Sequence, residues 1–132
     1  MKDPIKITIP LVPVTKKNHQ RIAKNRKTGQ LFVLPSGNFE QYQRDCRPFL
    51  GRYRGNGCIN HAVNVRCVFY MPTRRRCDLV NLLEAVDDLL TVYGIIEDDN
   101  SQIVAGHDGS RVRYDKNNPR TEIEITEMEA DA

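Results

Sequence analysis

Between Cys77 and Ser110 the chain carries eight carboxylates, Asp78, Glu84, Asp87, Asp88, Glu97, Asp98, Asp99 and Asp108, and no Lys or Arg. Acids at that density need neutralising, either by basic side chains folded over from elsewhere in the chain or by divalent cations, which prefer hard oxygen ligands. On a helix starting near Asp78, steps of about 100° set Asp78, Asn81, Ala85 and Asp88 along one border of an apolar stripe. The loop Glu97-Asp98-Asp99-Asn100 supplies further carboxylates a few residues past that helix. Mg²⁺ takes one or two carboxylates and fills its other positions with water and phosphate oxygens, so acids shared between a helix and a loop have the composition of a possible metal site. The same residues have plain structural roles too: Asp78 as a helix N-cap, Asp88 on a solvated face, Asp98-Asp99-Asn100 as a turn. Spacing alone leaves both readings open.

Charge favours the first. The tract Arg74-Arg75-Arg76 abuts the acidic stretch, whereas an ordinary surface helix interleaves both signs. The 132-residue chain has a net charge of +3, yet residues 1–76 hold sixteen Lys and Arg against three Asp and Glu, and residues 77–132 hold four against fourteen. A basic surface around an acidic pocket is what a nuclease needs to hold a polyanion. Lys16 and Lys17, in the Lys-, Arg- and Asn-rich segment 13–29, and the three arginines are then candidate phosphate contacts. His19, His61 and His107 are scattered and take no chemical role in this reading. Cys46, Cys58, Cys67 and Cys77 form no CxxC or CxxH pattern, so reduced thiols packed in the core are expected rather than zinc ligands or disulfides. No apolar run approaches the roughly 18 residues of a membrane span. The opening MKDPIKITIP has no apolar h-region, so a cytoplasmic protein without a membrane partner is expected.

The elements that must carry these residues follow from periodicity. Ile5, Ile7 and Ile9 alternate with Lys6 and Thr8, predicting a strand over 4–10. A basic loop or ribbon over 13–29 leads to a second strand at 31–34. Ser36 is a candidate N-cap for a helix in which Phe39, Tyr42, Cys46, Phe49 and Leu50 recur at helical spacing up to Gly51. A turn-rich break at 52–57 precedes Val63, Val65, Cys67 and Phe69, the alternating positions of a strand stopped by Pro72. Leu79, Leu82, Leu83, Val86, Leu89, Leu90 and Tyr93 form one stripe of a helix ended by Gly94. Residues 102–107 and 111–114 read as short strands around the Asp108-Gly109 turn, and 121–127 as a final strand. Strands on both sides of two main helices give one α+β domain over 1–132 with a mixed sheet.

At the acidic helix the sequence RRRCDLVNLLEAVDDLLTVYGIIEDDNSQIV, Arg74 to Val104, resembles the core signature of the RusA-type Holliday junction resolvases, common in phages and prophages. The resemblance extends more loosely to the first strand, the Lys16-Lys17-Asn18 loop and the closing strand. It implies a homodimeric α+β fold, Mg²⁺-dependent catalysis by aspartates, and symmetric nicking of four-way junctions and related branched DNA in recombination and repair. Asp78 matches the first aspartate of the family's Asp-x-Asp, Asn81 the following asparagine, Asp88 the later helix aspartate, and Asp98-Asp99 the loop pair, with Asp99 favoured as principal ligand. Asp78, Asp88, Asp98 and Asp99 are thus the implied catalytic metal ligands. Lys16, Lys17, Asn18, Arg74, Arg75, Arg76 and Asn81 are the implied DNA contacts. Two positions depart from the pattern: Val80 stands where a second aspartate is usual, and Glu84 where a lysine often sits. A rival reading takes Val80 as the mark of a decayed metal site in a non-catalytic branched-DNA-binding protein. A third is an interaction module whose acidic and basic halves pair in the oligomer.

Overall fold

A computed structural model describes residues 3–15, 21–34 and 37–129. Its strands are β1 (Ile5–Ile9), β2 (Arg21–Lys24), β3 (Leu31–Leu34), β4 (Val63–Met71), β5 (Val104–Gly106), β6 (Arg111–Tyr114) and β7 (Arg120–Glu127). The helices are α1 (Gly37–Asp45), α2 (Arg47–Leu50) and α3 (Leu79–Val92). β7 lies between β1 and β4, antiparallel to both, and β5 and β6 pair in parallel with successive parts of β4. The sheet is therefore mixed, and the domain is α+β as its sequence predicts. β2 and β3 form a separate antiparallel ribbon, which gives the basic segment before residue 31 its shape.

Register explains why one sheet face is apolar. Ile7, Ile123 and Cys67 stand side by side across three strands, as do Ile9, Thr121 and Phe69, and Ile5, Ile125 and Val65. Because side chains alternate along a strand, these rows share a face. On it pack Leu82, Ala85, Val86, Leu89 and Leu90 of α3, with Phe39, Tyr42, Cys46 and Leu50 from α1 and α2, in one core. Each fully buried aliphatic or aromatic side chain there contributes about 1.5–3 kcal/mol. The opposite face carries Lys6, Thr8, Arg66, Glu122 and Glu124 in the alternate positions.

Three local outcomes differ from the pattern in the sequence. The helix from residue 37 breaks at Cys46 where Pro48 enters the first turn of α2, since proline lacks the N–H that a continuing helix requires. Residues 51–56 continue as a 3₁₀ helix rather than an open break. β5 and β6 flank the Asp108-Gly109 turn yet pair with β4, not with each other. Of the thiols, Cys46 and Cys67 are in the core, but Cys58 is exposed; all four are free. Ser36 and the Lys16-Lys17-Asn18 segment lie outside the described residues.

Candidate active site

The end of β4 leads through exposed Arg74, Arg75 and Arg76 to Asp78. Asp78 has the extended backbone of an N-cap (φ −98°, ψ 113°), and its Oδ1 accepts the Val80 N–H at 3.0 Å. The capping role read from sequence is thus real and occupies one of its two oxygens. Arg76, Cys77, Asp78, Leu79 and Asn81 line an open depression of about 570 Å³. Arg74 stacks on the Tyr114 ring, 4.3 Å from its centroid, which ties this segment to β6.

The far end of α3 is built by its C-terminal motif. Gly94 takes the left-handed conformation (φ 70°), its N–H donates to Thr91 O, and the Ile95 N–H reaches back to Leu90 O at 2.9 Å. That turn sends Ile95 and Ile96 into the core, where Ile96 bridges to Ile59, and so places Glu97, Asp98 and Asp99 just past the helix. Asp98 is held by its neighbours: Oδ1 accepts from Asp99 N at 2.8 Å and Oδ2 from Asn100 Nδ2 at 3.0 Å. The Asn100 amide, followed by the Asp99 N–H, holds the Asp98 carboxyl below the ordinary range. Asp99 is shifted the other way, by desolvation, then by its hydrogen bond with Asp98 and that residue's charge, with a further push from Asp88.

The structure therefore brings Asp88, Asp98 and Asp99 into one electrostatic neighbourhood and leaves Asp78 out of it. Asp78 and Asp88 share a helix border, but ten residues of rise at 1.5 Å part them by about 15 Å, and it is the Asp88 charge that reaches Asp99. Among the described residues no three His, Cys, Asp or Glu side chains converge closely enough within one chain to hold a metal ion. The donor chemistry nonetheless suits Mg²⁺, because the acids offer only hard oxygen ligands.

One constellation has no counterpart in the sequence reading. His107 Nε2 lies 2.9 Å from Asp87 Oδ2, and its Nδ1 lies 2.8 Å from Val65 O. A carbonyl only accepts, so Nδ1 bears a proton, and a second proton on Nε2 makes the ring a cation facing a carboxylate. The hydrogen bond to Asp87 is the main cause that raises the His107 pKa, against desolvation, which lowers it. This pair ties α3 to β4. Asp87 and His107 are twenty residues apart, and no spacing rule links them.

The α+β domain with arginines leading to an acidic helix has the charge arrangement of a protein that holds a polyanion. The profile of the endodeoxyribonuclease RusA family matches residues 10–126 of this chain. The chain belongs to that family and is an endodeoxyribonuclease, a Holliday junction resolvase. A comparison with curated proteins finds no match. None of the helices among the described residues is long and apolar enough to cross a membrane. The reading of a non-catalytic DNA-binding protein finds no support in these observations.

Proposed function

We propose that this endonuclease resolves four-way junctions as a two-fold dimer whose sites are shared between copies. In each site Asp78 of one copy and Asp98 and Asp99 of the other, aided by Asp88, would hold Mg²⁺. The observation that carries this reading is the run of α3: Asp78 caps its start, and Asp88, whose charge reaches Asp99, lies ten residues, about 15 Å, along it. Ligands of one ion must converge to about 2 Å from it, so a single chain cannot supply both ends. A two-fold axis crossing α3 sets the start of the helix in one copy against its end in the other, and does so twice. Two equivalent sites match two symmetric nicks. Val80 and Val92, 68% and 56% exposed near the two ends of α3, leave apolar surface for such a contact.

Within that arrangement the Val80 N–H fixes the Asp78 carboxylate, and Asn100 with the Asp99 N–H fixes that of Asp98. Arg74, Arg75 and Arg76, exposed beside Asp78, hold the flanking phosphates, with Asn81 at the same depression. Lys16, Lys17 and Asn18 extend that contact. When bound, Mg²⁺ lowers the pKa of an attacking water and offsets charge developing on the scissile phosphate.

Asp78→Asn and Asp99→Asn test both parts of the proposal. Asn caps a helix about as well as Asp, so folding is retained. Each variant alone loses junction cleavage by several orders of magnitude while its junction affinity, measured in Ca²⁺, holds. Mixing the two with subunit exchange restores nicking, because one site of the heterodimer then has both native aspartates. No recovery on mixing would place the ligands within one chain. Near-normal cleavage by both variants would overturn the metal assignment.

A further inference from the structure

The sheet face opposite the core has an unequal distribution of charge that the acidic site does not use. In register across it run Lys6, Glu124 and Arg66, then Thr8, Glu122, Val68 and Arg111, then Arg120, Tyr70 and Arg113. On the β7 side the cations are engaged. Arg120 donates to Glu122 and Asp115, both at 2.9 Å, and stacks on Tyr70 at 3.7 Å, while Lys6 lies 3.9 Å from Glu124.

The β6 side is different. Arg66, Arg111 and Arg113 are exposed, and among the described residues their side chains make no ion pair and no hydrogen bond. Arg66 stands opposite Glu124 in register but leans the other way, over the turn at Gly109. A Cβ at Gly109 would come within 2.9 Å of Arg66 Cδ and Nε, so the glycine, at φ +85°, leaves the room this stem occupies. Val68 is only 3% exposed although it faces away from the core cluster, with Arg111 its lateral neighbour and Arg66 two residues back. Arg111 and Arg113 point the same way about 6.6 Å apart. Among the described strands β6 pairs only with β4, so this row lies along that edge, while Tyr114, on which Arg74 stacks, alternates to the other face of β6.

Three uncompensated guanidinium groups on a sheet face that also holds neutralised ones call for an anionic occupant. We infer that Arg66, Arg111 and Arg113 form a track for the sugar–phosphate backbone of one junction arm, running along β6 on the sheet face opposite α3. The inference rests on the nuclease assignment and adds residues and a surface to it. Such contacts position the duplex without reading its bases.

The test is the triple variant Arg66→Gln, Arg111→Gln, Arg113→Gln, which keeps the stems over Val68 and Gly109 and removes the charges. Junction binding is measured in Ca²⁺ across a salt series, beside Arg120→Gln as a paired-arginine control. Each phosphate contact contributes about −0.9 to the slope of log K against log salt, so the triple variant is expected to flatten that slope by about 2–3 and to bind more than tenfold more weakly at moderate salt. Arg120→Gln leaves the slope unchanged. A folded triple variant with wild-type slope and affinity overturns the track. So does one that self-associates while its DNA slope is unchanged, since the arginines would then guard an open strand edge. Wild-type protein that neither binds nor cuts junctions would remove the enzymatic reading, and the track with it.

Discussion

Asp87 turns from α3 into an ion pair with His107, while Asp98 and Asp99 sit in a loop past the same helix with no cation of the protein beside them among the described residues. Both belong to one stretch without Lys or Arg. An acid that the fold supplies with its own cation is committed to holding elements together; its Oδ1 is buried without a partner, so His107 is its main compensation. Asp99, whose pKa is raised by desolvation and then by Asp98, has no such partner among the described residues.

Removing His107 should break this contrast most sharply. His107→Ala strands a carboxylate whose side chain is only 13% exposed. Losing one partner of a fully buried pair costs about 3–5 kcal/mol, and partial solvent access here reduces that to about 2–3 kcal/mol. Asp99→Asn, by contrast, relieves like-charge crowding, so its stability should change by less than about 0.5 kcal/mol or rise. Urea denaturation of both variants measures the difference; equal losses would erase the distinction between the two kinds of acid.

A smaller effect appears with pH. The folded-state pKa of His107 is raised above 6.5, so its contribution to stability is fully present below that value and is lost as pH rises through the elevated folded one. Wild-type unfolding free energy should therefore fall as pH rises above 6.5, and His107→Gln should flatten that fall. A His107→Gln profile parallel to wild type would show that the ring is not charged in the fold.

The sequence marks the apolar elements well, because Ile5 to Ile9, Val63 to Phe69 and the Leu79–Tyr93 stripe bury one face each and so print their period. It marks the acids of the site by type but not their arrangement. A helical wheel places Asp78 and Asp88 on one border, yet it collapses the axis along which they are about 15 Å apart. Long-range pairs print nothing: Asp87 with His107, or Asn64, whose side-chain amide donates to Asp108 O and accepts from Asp108 N in place of ladder bonds where β4 passes from β5 to β6. Asp108-Gly109 is a true turn, with Gly109 in the left-handed region, but the chain returning from α3 delivers both flanking strands alongside β4.

That the unpaired acids hold a divalent cation is tested most directly by titrating Mg²⁺ into the DNA-free protein in a calorimeter, wild type beside Asp78→Asn and Asp99→Asn. The account predicts saturable binding by the wild type and a marked loss of affinity in both variants, even though the two residues lie at opposite ends of α3. Wild-type Mg²⁺ affinity in both variants would contradict it.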